Sequence, residues 1–186
     1  VFFIISHSVF ADNVLELETL EVKSSTNKPQ LIKPMVELKG DALQTQLGTT
    51  IGDTLKNQLG ITNQSFGAGV GSPVIRGQSG TRVQVLQNGL NNNDAASFSP
   101  DHANGVEPIL SDKIEVLRGV STLLYGSGLI GGVVNTLDSR IPEQHFDKVI
   151  GGAGQQRYDS ATNETSSTIK LEGSHKNFAY HIDGFY

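Results

Sequence analysis

The clearest periodicity in the chain lies near its C-terminal end. Ile169 and Leu171 alternate with Thr168, Lys170 and Glu172, and Phe178, Tyr180 and Ile182 alternate with Ala179, His181 and Asp183. A period of two puts the two sets on opposite faces of a strand. Together with KVIGGAGQQRYDS, residues 148–160, these stretches predict three antiparallel strands. A long polar loop around ATNET would separate the first two, and a tight turn from Ser174 to Asn177 the last two. Half-buried soluble sheets alternate in this way, and so do membrane β-barrels with a wet interior. The pattern is still running at Tyr186 and three strands cannot close a barrel, which favours the opening of a longer barrel.

Upstream the pattern is mixed. TTIGDTLKNQLG reads as a short helix with Thr50 as N-cap, Asp53 at its positive end, and Ile51, Leu55 and Leu59 on one face; Gly60 closes it. TRVQVLQNGL has Val83 and Val85 on one side and an Asn88-Gly89 turn, a hairpin signal. NNNDAASFSPDHANGVEP, residues 91–108, lacks apolar periodicity and is rich in turn formers, so it is an exposed loop. SDKIEVLRG is a strand with Ile114 and Val116 inward, and VSTLLYGSGLIGGVVNTL is a turn-rich unit that returns to a strand. Short strands mixed with small helices predict an α+β domain of about 130 residues.

The N-terminal run VFFIISHSVFA is too short to span a bilayer, which takes about 20 apolar residues, and ends in a small-x-small pattern suited to signal peptidase. Residues 1–11 are therefore expected to be the remnant of a secretory signal. The following NVLELETLEVKSS alternates like a strand, but its polar, proline-containing continuation TNKPQLIKP marks a tethered segment, a candidate docking peptide.

Composition narrows the chemistry. With no cysteine, a disulfide, a thiolate metal site and a cysteine nucleophile are excluded, so a metal would be held by oxygen and imidazole. A net charge of −5 with no basic cluster argues against a nucleic-acid partner. GAGVGS lacks the spacing and flanking elements of a dinucleotide loop, and no nucleophile elbow, HExxH or paired-carboxylate arrangement supports an enzyme.

The block IEVLRGVSTLLYGSGLIGGVVNTL, residues 114–137, resembles the plug-domain signature of TonB-dependent outer-membrane receptors. LETLEVKSS, residues 17–25, resembles a TonB box, TTIGDTLKNQLGI the first plug helix, and SPVIRGQ and RVQVLQNGL the following plug strands. Val120 stands where that family usually has proline and Leu129 where it usually has alanine, departures that touch local turn geometry. The resemblance implies a barrel of 22 strands stoppered by an N-terminal plug, placed in the bacterial outer membrane in contact with its lipid. It divides the chain into a signal remnant at 1–11, the TonB box and N-terminal extension at 12–34, the plug at 35–147 and the first barrel strands at 148–186. It further implies a TonB-ExbB-ExbD partner that grips Thr19, Leu20, Glu21, Val22 and Lys23 by strand addition. Arg76 and Arg118 fall where the family has plug arginines that lock onto barrel glutamates; the alternative reading of the residues is that each caps a local carbonyl.

FSPDHA, residues 98–103, resembles the zinc-uptake (ZnuD-like) branch of those receptors, which carries Asp101 and His102 over as zinc ligands. Carboxylate and neutral imidazole both bind zinc at about 2.0–2.2 Å, but a typical site has four ligands, so this pair would need help from elsewhere. Ordinary loop chemistry accounts for the same two residues. Asp94 is a weaker candidate or a turn terminator, and His181 with Asp183 an expected lumen-facing pair. The resulting expectation is a receptor that imports a scarce metal, zinc foremost, with zinc as cargo and no permanently bound cofactor. Iron-siderophore, haem or cobalamin uptake is the alternative, and an adhesion or docking platform the reading from another class.

Overall fold

The computed structural model describes residues 33–67, 69–142, 145–146, 148–160 and 163–186. The signal remnant and the candidate TonB box lie outside the described residues.

A five-stranded mixed sheet organises the first part of the chain. Its strands are β1 (Val36–Lys39), β4 (Val83–Gln87), β5 (Leu90–Asn91), β6 (Lys113–Leu117) and β7 (Gly132–Leu137), in the order β1-β6-β7-β4-β5. Only β4 and β7 run parallel; the other neighbours are antiparallel. Helices α1 (Gly40–Gln46) and α2 (Ile51–Leu55) and the hairpin of β2 (Ile61–Ser65) and β3 (Gly71–Ile75) pack against this sheet. Val36, Leu38, Ile114, Val116 and Val134 meet Leu43, Ile51, Leu55, Ile61 and Ile75 in one core. In β1 and β6 the alternation forces this: Val36 and Leu38 face in, while Glu37 and Lys39 remain outside as an ion pair at 2.8 Å.

The helix predicted over residues 49–60 is shorter than expected. Thr50 is its N-cap, accepting from the Asp53 backbone N–H at 3.1 Å, and Ile51 and Leu55 are fully buried. The helix stops at Leu55, so Leu59 leaves the apolar face and is 87% exposed. The buried Thr54 hydroxyl donates to Thr50 O at 2.9 Å and accepts from Gly48 N–H at 3.0 Å, which satisfies a group that would otherwise be costly to bury. Strand β1 and helix α1 have no counterpart in the sequence expectations.

The glycine-rich return to β7 is tight for a steric reason. A Cβ on Gly131 would lie 2.7 Å from Gln78 Cβ and Val83 Cγ2, and Gly132 combines a φ of 149° with a Cβ position 2.9 Å from Leu117 O.

Strands β8 (Gly151–Asp159), β9 (Glu164–His175) and β10 (Phe178–Phe185) form a separate antiparallel sheet in the order β10-β9-β8. The loop between β8 and β9 spans residues 160–163 only, because β9 starts two residues earlier than expected and absorbs part of ATNET. The next turn narrows to Lys176 and Asn177. Ile169, Phe178 and Ile182 are exposed on one face of this sheet, while the His181 side chain on the other is only 5% accessible.

Ile114→Ala should lower stability by about 2–5 kcal/mol, the cost of a cavity at a fully buried site. Leu59→Ala should stay within about 0.5 kcal/mol because nothing covers that side chain. Urea midpoints of the two variants compare them directly, and similar losses would show that Leu59 is packed after all.

Candidate functional site

The loop 91–112 is pinned at three points. Asp94 accepts from the backbone N–H of Ala96 at 3.2 Å and also from that of Gly105, so it is a capping residue that closes the loop on itself. Asn104 donates to Gly71 O at 3.2 Å and to Ser72 Oγ at 2.9 Å, tying the loop to β3. Pro108 begins the 3-10 turn Pro108–Leu110.

Between these anchors the segment Ser99–His102 forms a turn in which His102 N–H donates to Ser99 O at 3.2 Å. Asp101 Oδ1 accepts from the Ser99 hydroxyl and lies 3.1 Å from His102 Nδ1, and both side chains are exposed. Consecutive residues on a strand would point apart; the turn lets these two converge. The Ser99 hydroxyl first, then the Asp101 backbone N–H and the His102 ring, hold the Asp101 carboxyl below its usual range, so it is ionised well into mild acid. Asp101 and His102 therefore offer an anion and an imidazole edge from one side of an open loop. Among the described residues no group of three or more histidines, cysteines and acids is arranged to hold a metal.

Arg76 and Arg118 come together at Gly60. Arg118 donates to Leu59 O at 3.1 Å, its buried Nε has no hydrogen-bond partner among the described residues, and a Cβ on Gly60 would sit 3.5 Å from Arg118 Nη1 and 3.8 Å from Arg76 Cγ. Partial burial and then the Arg76 charge lower the Arg118 pKa. Among the described residues neither guanidinium meets a carboxylate, and Arg118 does cap a local carbonyl. The sheet β8–β10 is held to the rest of the chain by other groups.

Those groups form a charged seam. Lys170 Nζ, on β9, reaches Asp112 Oδ1 at 2.7 Å and Glu172 Oε2 at 3.2 Å, and donates to Ser139 Oγ at 3.3 Å. Arg140 grips Asp183 on β10 with two nitrogens, at 3.0 and 2.8 Å. His181 lies beside them, with Nε2 3.3 Å from Asp183 Oδ1 and Nδ1 3.5 Å from Ser139 Oγ. Asp138 fixes the backbone at Arg140: it accepts from Gln87 Nε2, Asn88 Nδ2 and the Arg140 backbone N–H. Partial burial works to raise the Asp138 pKa, and those three hydrogen bonds outweigh it and hold it below the ordinary value. Sequence reasoning placed Lys170, His181 and Asp183 on the polar face of their strands but missed their partners Asp112 and Arg140. The signal was available in Lys170, an ammonium at an inward position of an alternating strand, which requires an acid opposite.

A family model described as TonB-dependent Receptor Plug Domain matches residues 30–133. The chain belongs to that family. The five-stranded domain is thus a plug, and β8–β10 are the antiparallel wall strands that follow it. Solved structures agree on the fold. The siderophore receptor PirA from Acinetobacter baumannii matches with a TM-score of 0.64 and 19% identity over 84% of this chain and 25% of that chain. A variant of the ferric enterobactin receptor PfeA from Pseudomonas aeruginosa matches with a TM-score of 0.60 and 17% identity over 81% of this chain and 24% of that chain. The copper transporter OprC matches with a TM-score of 0.59 and 23% identity over 72% of this chain and 20% of that chain. The chain thus spans a fifth to a quarter of the length of these structures.

Asp138→Asn tests the seam's electrostatics. A carboxyl whose folded pKa is depressed stabilises the fold fully above its unfolded value, about 3.9, and that contribution is lost as pH falls through the folded value. The deficit of Asp138→Asn in urea midpoint should be present at neutral pH and shrink below about pH 4. A deficit that is constant with pH would remove the charge-based role.

Proposed function

We propose that this chain is the plug and leading wall of an outer-membrane receptor that imports a scarce metal ion, zinc foremost, through work supplied by the TonB-ExbB-ExbD complex. The observation that carries the metal reading is the convergence of Asp101 and His102 in an exposed turn, with the carboxylate kept ionised by Ser99. Oxygen and imidazole are ligands that zinc accepts, and two of a usual four are supplied here. The others come from outside the described residues. The plug family and a copper transporter among the structural neighbours support transport of metal over catalysis.

Zinc titration of the receptor decides the point. Asp101→Ala and His102→Ala should each weaken binding by at least about tenfold, since even groups that only orient a ligand act on the scale of 10–100-fold. Equal affinity in wild type and both variants would sink the direct-ligand reading. A ferric siderophore is the second reading, favoured by the siderophore receptors among the neighbours. It predicts chelate-dependent uptake that ignores both substitutions.

Thr19, Leu20, Glu21, Val22 and Lys23 serve in this reading as the strand that TonB adds to its own sheet, with residues 12–34 as its tether. Arg76 and Arg118 serve as a second hold, against carboxylates of wall strands other than β8–β10; the buried Nε of Arg118, without a hydrogen-bond partner among the described residues, supports that assignment. Because proline donates no backbone hydrogen bond and fits poorly in a paired strand, Leu20→Pro or Val22→Pro should abolish energised uptake while leaving zinc binding intact. Undiminished uptake would place the TonB contact elsewhere.

A further inference from the structure

Strand β1 is an edge of the five-stranded sheet: β6 lies on one side, and among the described residues no strand pairs with the other. Alternate residues of an edge strand turn their backbone N–H and C=O outward, a row of groups that a further strand can satisfy. The two faces of β1 are strictly divided. Val36 and Leu38 are buried, and Glu37 and Lys39 are exposed on the opposite face.

The charges of that face are poorly matched by β6. The register sets Glu37 opposite Glu115 and Lys39 opposite Lys113, like against like, which disfavours the pairing. Each strand instead neutralises itself, with Lys39 on Glu37 at 2.8 Å and Lys113 on Glu115 at 2.5 Å. A strand complementary to β1 has to carry an acid two residues before a lysine and run antiparallel, so that the acid meets Lys39 and the lysine meets Glu37. The same sequence run parallel would set like charges side by side again. Within residues 1–32 an acid stands two before a lysine only at Glu21 and Lys23. That pair sits in Leu20-Glu21-Val22-Lys23, which repeats the apolar, glutamate, apolar, lysine order of Val36-Glu37-Leu38-Lys39.

We propose that residues 21–24 dock on the outer edge of β1 as a sixth, antiparallel strand, with Glu21 opposite Lys39, Val22 opposite Leu38, Lys23 opposite Glu37 and Ser24 opposite Val36. Period-two alternation then puts Val22 beside Leu38 on the core face and both unlike charge pairs on the other. The connection, residues 25–35, is long enough to reverse the chain, and its Pro29 and Pro34 keep it out of the ladder. Docking covers an edge that would otherwise stay open. It also sets up a competition. Thr19–Lys23 is the segment that TonB would add to its own sheet, so two edges contend for one strand, and a box held on β1 is withheld from TonB. That consequence rests on the TonB-box reading above, whereas the docking rests on the charge order and the β1 edge alone.

Paired cysteines read the register, because the chain has no cysteine of its own. In the full-length receptor under mild oxidation, Lys23→Cys/Glu37→Cys and Glu21→Cys/Lys39→Cys should each form a disulfide, since opposed Cα atoms of an antiparallel pair lie about 4.5–5.5 Å apart. Lys23→Cys/Lys39→Cys should stay reduced, because that pair is diagonal and about 7–8 Å apart. No disulfide in either opposed pair overturns the docking. Equal yields from opposed and diagonal pairs overturn it as well, since a tail that merely collides with β1 has no register. The competition is read separately. Glu37→Lys/Lys39→Glu makes both proposed pairs repulsive and sets unlike charges opposite Glu115 and Lys113, so the plug's own sheet is favoured. The soluble domain of TonB should bind this variant about threefold to tenfold more tightly than wild type, with no fall in urea midpoint. Equal affinities overturn the competition. Lost uptake in Leu20→Pro with neither disulfide formed overturns only the docking, whereas disulfides in register with full uptake in Leu20→Pro overturn only the TonB-box reading.

Discussion

Wall strands that are apolar on one side and charged on the other can be stable only if the charged side finds partners or water. Strands β8–β10 place Ile169, Phe178 and Ile182 outward and Lys170, Glu172, His181 and Asp183 inward. Every one of those inward groups would carry a desolvation penalty in an unfilled apolar interior. The plug answers with Asp112, Ser139 and Arg140, all at the ends of β6 and β7, so the geometry of the mixed sheet decides which wall charges are met.

The strength of those contacts is graded. The side chains of Lys170 and Asp112 are 21% and 45% accessible, which puts their ion pair nearer the surface class, about 0–1 kcal/mol, than the buried class. Arg140 and Asp183 make the better-defined contact, two parallel hydrogen bonds from the guanidinium, while Asp138 holds the Arg140 backbone N–H. Within the plug, by contrast, β6 and β7 share a five-residue ladder over a fully buried apolar core. Core burial at about 1.5–3 kcal/mol per large apolar side chain outweighs each seam contact.

Much of this arrangement was legible beforehand, for identifiable reasons. Alternation is a local property, so Ile114 and Val116 in β6, the Asn88-Gly89 turn and the three wall strands could be read from neighbouring residues alone. Leu59 went the other way because a helix period was extended past Leu55, where the chain turns toward β2. Strand β1 has only four residues and is fixed by pairing with β6, some seventy-five positions away, a long-range contact with no local signature. The same holds for Arg140 with Asp183 and Lys170 with Asp112: the inward face of Asp183 and Lys170 was legible, but their partners, distant in sequence, were not until the fold brought each within 3 Å. Asp101 and His102 were visible as a pair, while the Ser99 hydroxyl that conditions the carboxylate depends on the turn that brings it back.

The loop and the seam divide the handling of charge between them. Asp101 and His102 are exposed and, among the described residues, make no hydrogen bond or ion pair with β8–β10. The seam carboxylates are already compensated: Glu164 by Arg157, Asp112 and Glu172 by Lys170, Asp183 by Arg140. The open pair is held only by Ser99 and by its own contact, so anything that binds there competes with those hydrogen bonds and with water. A compensated carboxylate takes a new cation only by giving up the one it holds. The loop pair and the seam groups therefore differ in what a new cation would have to displace: hydrogen bonds and water in the first case, a resident ammonium or guanidinium in the second.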